Sequence, residues 1–245
     1  MAPKEKVFFG TGLPYIDTSD LAGKLIVIEG TDGVGRSTQI AELKKWLEVK
    51  GHPVMTTGWT RSPLLGNAID AAKAGHNLNV NTFSLLYLAD FADRLEHEVL
   101  PALKAGFVVL ADRYFYTALA RSVVRGADQD WIRRIYGFAL EPDVVFYMKI
   151  QIEDLIPRVI NGENLIEHYW ESGSAEGMDY WESGMDLGLG EDVYDSFVEY
   201  QKRILTEFDV LVEEFGFSTV DASLSFAETN KVLKRGIAAI LDPEP

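Results

Sequence analysis

The sequence predicts an α/β protein: a doubly wound, parallel, five-stranded sheet flanked by helices. Three observations predict it. Short runs rich in β-branched residues are nearly all apolar, as expected of strands buried on both faces. Longer stretches with helical hydrophobic spacing separate them. The first run ends in a glycine-rich turn that opens directly onto a helical stretch, a junction typical of open parallel α/β folds.

The elements follow in chain order. Residues 1–23 precede the first strand, contain Gly10, Gly12, Pro14 and Gly23, and read as an N-terminal extension, packed on the outside or left mobile. Residues 24–245 read as one domain, since no Pro/Ser-rich linker divides them. Strands are expected at Leu25–Glu29, Pro53–Thr57, Phe107–Ala111, Val144–Met148 and Ser218–Val220. Helices are expected at Thr38–Lys50, Asn81–Ala105, Tyr116–Val124, Gln129–Phe138, Ile152–Asn161, Val193–Phe215 and Phe226–Leu241. Pro101 should kink or split the second of these.

The segment 161–195 stands apart. It has no Lys or Arg but ten acidic residues, from Glu163 to Asp195, and a short internal echo: Tyr169-Trp170-Glu171-Ser172-Gly173 and Tyr180-Trp181-Glu182-Ser183-Gly184. An echo this short does not make a repeat architecture. Two readings stay open, a solvated acidic surface loop and a lid-like flap over a cleft.

Composition narrows the function classes. The chain of 245 residues carries 23 Lys+Arg against 38 Asp+Glu, a net charge of −15, and no Cys. Disulfides, thiol catalysis and cysteine-ligated zinc are therefore excluded. The negative charge argues against nucleic-acid binding, which relies on counterion release by Lys and Arg. No apolar run approaches the roughly 20 residues that span a bilayer. Met1–Gly10 lacks the apolar core of a secretory signal, and the expected setting is the cytoplasm.

The strongest motif is Gly30-Thr31-Asp32-Gly33-Val34-Gly35-Arg36-Ser37-Thr38, between the first strand and the first helix. Its spacing is that of a P-loop, with Arg36 where lysine usually stands. Glycines let backbone N–H groups turn inward around phosphate oxygens, and the helix N-terminus adds positive potential. A cation at position 36 is expected to reach the β- and γ-phosphates of ATP, with Ser37 as a Mg²⁺ ligand. Arginine keeps the charge but is larger and planar. The strand Phe107–Ala111 ends in Asp112, the expected Mg²⁺-organising carboxylate beside the loop.

At these motifs the chain resembles the thymidylate kinases: IEGTDGVGRSTQ (Ile28–Gln39), TRSP (Thr60–Pro63), FADRLEH (Phe91–His97), LPALKAGFVVLADRY (Leu100–Tyr114) and EPDVVFYMKI (Glu141–Ile150). The resemblance implies a P-loop nucleoside-monophosphate kinase fold, ATP with Mg²⁺, a mobile lid, a homodimer and transfer of phosphate to dTMP. It implies that Gly30 to Thr38 hold the ATP phosphates. It implies further that Asp32 faces the acceptor sugar and that Arg61 grips the acceptor phosphate. On the same resemblance Arg94 and Arg113 are expected at that end of the cleft, with Arg36, Asp112 and Arg113 as the catalytic set. Tyr87, Asp90, Phe91, Tyr114 and Arg121 fall in the segments that surround the acceptor.

The chain departs from the family pattern in three places. Asp90 stands where an aromatic normally stacks on thymine. The segment after Arg113-Tyr114 reads Tyr116, Ala118, Arg121 and Ser122 where the family has polar and tyrosine side chains. The lid segment has no arginine, and Val34 stands where one branch of the family has one. A kinase acting on another phosphorylated acceptor, and a nucleotide-binding protein with little kinase activity, remain open alternatives. A GTPase switch is disfavoured, because no N-K-x-D segment for guanine is present.

Overall fold

The computed structural model describes residues 5–75, 79–162, 181 and 183–241. Five strands form one sheet: β1 (Lys24–Glu29), β2 (Val54–Gly58), β3 (Val108–Asp112), β4 (Val144–Lys149) and β5 (Ser218–Asp221). Their order is β2-β3-β1-β4-β5, and every neighbouring pair is parallel. The expected fold class and all five strands are present.

The pleat explains why β1 is apolar throughout. Leu25 and Val27 face one core with Phe91, Phe115, Tyr136 and Phe208, while Ile26 and Ile28 face the other with Leu43, Leu47, Phe146 and Leu233. A strand buried on both faces leaves no position for a polar residue until it ends.

Helices cover both faces: α1 (Arg36–Val49), α2 (Gly66–Gly75), α3 (Val80–Arg94), α4 (Leu100–Lys104), α5 (Phe115–Val124), α6 (Gln129–Ile135), α7 (Ile152–Gly162), α8 (Val193–Phe215) and α9 (Phe226–Leu241). The stretch expected as one helix from 81 to 105 is split. A π-helical turn, Leu95–Val99, joins α3 to α4 just before Pro101. Proline lacks an N–H and its ring clashes with the carbonyl four residues back, so the wider turn accommodates it. No sequence expectation covers α2. It is a ten-residue helix, largely of small residues between glycines, with Ile69 fully buried.

The described part of the extension, residues 5–23, is packed against the domain. Phe9 and Gly10 donate backbone N–H bonds to Ala139 and Gly137, each at 2.8 Å, and Glu141 donates to Val7 at 2.8 Å. The Phe9 ring lies 5.0 Å from Phe115 and 5.7 Å from Phe215. Asp143 ties the extension to β1, accepting from Lys6 (2.5 Å), Lys24 (3.2 Å) and the Leu25 amide (2.8 Å). Of the segment read as lid or loop, residues 163–180 and 182 lie outside the described residues, Tyr169, Trp170 and Tyr180 among them.

Candidate active site

The connections from β1 and β3 leave the sheet in a common crevice, because β1 lies between β3 and β4. Such a switch point, outside the carboxyl ends of the strands, is where open α/β sheets bind ligands. Gly30–Gly35 leaves β1 there and Asp112 ends β3 beside it, with Ile28 and Asp112 in register. Gly35, at φ 88°, caps α1 without a side-chain hydrogen bond. The first-turn amides of α1 therefore point toward the crevice, a ready site for an anion.

Arg36 opens α1 and is only 8% exposed. Its Nε donates to Asp112 Oδ1 at 2.8 Å, and its Nη1 donates to the carbonyls of Gly30, at 2.6 Å, and Thr31. Ser37 Oγ donates to the other oxygen of Asp112 at 2.7 Å. Burial opposes ionisation of Asp112, but the charge and hydrogen bond of Arg36, with Ser37, hold its carboxyl below the usual range. For Arg36 itself, burial and the charge of Arg113 lower the guanidinium, against the pull of Asp32 and Asp112.

Asp32 gathers three cations. Arg113 Nη2 donates to Oδ1 at 2.5 Å, Arg121 Nη2 to Oδ2 at 3.2 Å, and Arg36 Nη2 lies 3.5 Å from Oδ1. Burial disfavours its charge, yet the three guanidinium charges win and hold it well below the usual carboxylate range. Arg113 reaches Asp32 from a left-handed backbone, φ 70°, with its amide bonded to Ile28 O at 3.0 Å. For a non-glycine residue such a conformation costs on the order of 1–3 kcal/mol and is concentrated at functional sites.

Arg61 is the most exposed of these cations, with 55% of its side chain accessible and Nη2 3.8 Å from Asp112. Its guanidinium lies against the bare backbone of Gly58, where a Cβ would come within 2.9 Å of Cζ. The loop that carries it is held from beneath. Asp90 accepts the Ser62 amide on one oxygen at 2.9 Å, and Arg94 Nε and Nη2 on the other at 2.9 and 2.8 Å. Arg94 Nη1 reaches Thr57 Oγ1 at 3.4 Å, and Ser62 Oγ donates to Asp93 at 2.6 Å.

The candidate residues from the sequence are thus not all brought together. Arg36, Ser37, Asp32, Asp112, Arg61, Arg113 and Arg121 converge. Asp90 and Arg94 lie under the Arg61 loop, Arg94 only 2% exposed. Phe91 is a core residue among Tyr114, Tyr136 and Phe138, and Tyr114 is buried with its hydroxyl on Leu140 O at 3.0 Å. Tyr87 does line a pocket. It stacks on Trp59 with ring centroids 5.0 Å apart and 20° between planes.

Two openings flank the arginine cluster. One is a small, largely apolar pocket with about 20 Å³ of free space, lined by Trp59, Phe83, Tyr87, Ser122, Arg121 and Arg125. The other is an open cleft of about 410 Å³ between Gly33–Gly35 and the β5–α9 connection, with Arg158 on its wall. Arg158 donates to Ala222 O at 2.7 Å, and Gln39, held by Asn230 at 2.8 Å, donates to Phe226 O at 3.0 Å. These bonds fix the β5–α9 connection, and sequence reading missed all three side chains.

Glu29 was also missed. Fully buried at the end of β1, it accepts the Tyr114 amide at 2.8 Å and the Thr117 hydroxyl at 2.6 Å. Burial pushes its carboxyl up to about 7, against the lowering effect of those hydrogen bonds and of Arg113 and Arg36. The signal was present in the sequence: a single acid closing an otherwise apolar run.

Among the described residues no cluster of three or more His, Asp or Glu side chains of metal-site type exists. Ser37 and Asp112 are instead a pair of hard oxygen donors, the type Mg²⁺ accepts alongside phosphate oxygens. No helix among the described residues is long and apolar enough to cross a membrane.

A family model for thymidylate kinase matches residues 28–172. The chain is 36% identical over 224 residues to a probable thymidylate kinase 2 of Saccharolobus solfataricus, covering 91% of this chain and 99% of that protein. It is 31% identical over 206 residues to a probable thymidylate kinase of Thermococcus gammatolerans, covering 79% of this chain and 85% of that one. Similarity to a probable thymidylate kinase of Pyrococcus horikoshii is 34% over 145 residues, covering 57% of this chain and 71% of the relative.

Proposed function

Because the chain belongs to the thymidylate kinase family, we propose that it transfers the γ-phosphoryl group of ATP to dTMP, giving dTDP and ADP. One observation carries the reading: Arg36, Arg61, Arg113 and Arg121, from separate elements, converge on Asp32 and Asp112 at the ends of β1 and β3. Bringing two phosphate groups together is opposed by their charge, so catalysis rests on positioning and positive potential. In an overall acidic protein these cations are held by carboxylates at the place where phosphates would meet.

The roles follow from position. The loop amides from Gly30 to Thr38 and the α1 N-terminus receive the ATP phosphates, with Arg36 as their cation. The cleft at Arg158 and the β5–α9 connection receives the ATP base. Arg61 and Arg113 take the acceptor phosphate, Asp32 and Arg121 the acceptor sugar. The pocket that Trp59, Phe83 and Tyr87 line with Arg121 takes the acceptor base. Asp90 and Arg94 hold the Arg61 loop in register. Ser37 and Asp112 would hold Mg²⁺, which neutralises phosphate charge when bound.

The reading extends to a homodimer in the cytoplasm, without nucleic-acid or membrane partners. The family resemblance supports the homodimer, and the net charge of −15 and the lack of Cys support the rest. A coupled assay for ADP release, run with ATP alone and then with each nucleoside monophosphate, tests the activity. Turnover dependent on dTMP is expected. ATP binding without turnover overturns the kinase reading. Turnover only with another acceptor supports a second reading, a different monophosphate, which the burial of Asp90 against Arg94 favours by removing both from the base pocket.

A further inference from the structure

The echoed motif in the lid segment has a described member, Trp181, and the function above does not use it. Only 4% exposed, Trp181 belongs to a small hydrophobic cluster with Ile69, Phe83 and Tyr87, separate from both main cores. Its ring stacks on Phe83 with centroids 4.6 Å apart and 12° between planes. Phe83 in turn meets Tyr87 edge to face at 4.4 Å, and both line the aromatic pocket. The face of Phe83 that Trp181 covers is therefore closed to movement.

Trp181 is itself pinned. Its indole N–H donates to Lys73 O at the end of α2, at 3.0 Å, and its carbonyl accepts from Arg125 Nη2. Arg125 lines the same pocket while its side chain is only 4% exposed. Asp186 takes its Nε at 2.8 Å and its Nη2 at 3.3 Å, Tyr200 takes Nη1, and the guanidinium lies 4.8 Å from the Tyr200 ring. Gly184 passes so close to Tyr200 that a Cβ would meet it at 2.7 Å. A buried guanidinium with this many acceptors is a fixed joint, since removing any partner leaves charge or polarity unpaired.

We propose that Trp181, locked by Arg125, is a positioning residue that holds Phe83 and thereby limits the acceptor pocket to a single-ring base. Asp186 and Gly184, from the C-terminal end of the lid segment, back this arrangement by holding Arg125 and packing on Tyr200. Removing the indole leaves Phe83 free to swing into the vacated space, deepening the slot and loosening its grip on a pyrimidine. The proposal rests on the acceptor assignment made above, and its test is built to separate the two.

Dissociation constants for dTMP and dGMP, measured by calorimetry, and steady-state kinetics with both are compared in the unmodified protein, Trp181→Ala and Trp181→Phe. Trp181→Ala should weaken dTMP binding and raise its KM about tenfold or more, with the ATP KM unchanged. The dGMP-to-dTMP ratio of kcat/KM should rise by a similar factor, and Trp181→Phe should restore most of the original preference. A lower melting temperature with unchanged dTMP affinity and base ratio would leave Trp181 a purely structural residue and sink the proposal. Trp181→Leu, which fills part of the space without a stacking ring, serves where Trp181→Ala does not fold, with shifts in the same direction but smaller. If the unmodified protein turns over no dTMP, the acceptor assignment fails. The ratio of one-ring to two-ring monophosphate binding across the variants then still decides the role of Trp181.

Discussion

Arg36 and Asp112 form a buried ion pair, Nε to Oδ1 at 2.8 Å, that joins the first residue of α1 to the last residue of β3. The same carboxylate holds Ser37, the next residue along the helix, at 2.7 Å. The cation of the loop is thus kept in place by the carboxylate expected to organise the metal.

If Arg36 acts on phosphate, Arg36→Ala should lower kcat by at least about a hundredfold. Charge-assisted hydrogen bonds to phosphate are worth roughly 1.5–3 kcal/mol each, so losing one or two gives a drop of this size. Arg36→Lys restores the usual P-loop residue and should keep substantial activity, although an ammonium cannot reproduce the fork that reaches both Asp112 and Gly30 O. Steady-state kinetics of both variants check this. Near-normal turnover for Arg36→Ala removes position 36 from the mechanism.

Arg61 should serve the acceptor and not ATP. Arg61→Ala is expected to raise the acceptor KM or lower kcat about tenfold or more with the ATP KM little changed, because the exposed guanidinium contributes little to stability. Gly58→Ala should give a milder form of the same defect, since its methyl would occupy the space of the Arg61 guanidinium. Weakened ATP binding in either variant means that the two nucleotide sites are assigned in reverse.

Asp90 and Arg94 should show strong coupling. Removing Asp90 alone leaves a buried, uncompensated guanidinium, which typically costs about 3–5 kcal/mol. Replacing both with leucine removes the charge problem while still releasing the Ser62 amide. In a denaturant double-mutant cycle, Asp90→Leu/Arg94→Leu should be less destabilised than the sum of the single changes. Its acceptor KM should nevertheless rise, because the Arg61 loop has lost its anchor. Additive losses would show that the pair does not act as a unit.

What sequence reading captured and what it missed have a common cause. The strands were legible because burial on both faces leaves a continuous apolar run, as in Leu25–Glu29. The loop and its Arg36 were legible because spacing along the chain fixes their geometry, whereas Arg61 and Arg113 came from the resemblance alone. Asp90 and Arg94, four residues apart on α3, were visible as a helical pair, but only packing shows them turned under the Arg61 loop rather than into the pocket. Arg125 and Trp181 are 56 residues apart, and Arg158 and Ala222 are 64 apart. No local pattern encodes such contacts, which depend on how α5, α7 and their neighbours settle on the sheet.

Glu29 offers a test through pH. Its carboxyl ordinarily titrates near 4.5 and is pushed up to about 7 in the folded protein, chiefly by burial. The folded state therefore holds a proton that the unfolded chain releases. The stability linked to this group is complete below about 4.5, declines as pH rises toward about 7, and is level above that. The slope is at most about 1.4 kcal/mol per pH unit for one proton. Glu29→Gln removes the titration while leaving an oxygen to accept the Tyr114 amide and a group to bond Thr117. Denaturant unfolding of both proteins at intervals across that window should give a difference curve that moves in favour of the variant as pH increases. Subtracting the curves cancels the titration of groups common to both. Parallel curves would show that the hydrogen bonds from Tyr114 and Thr117, with Arg36 and Arg113 nearby, keep Glu29 ionised despite its burial. The buried acid would then be a fixed anchor for the β3–α5 junction and not a titrating one.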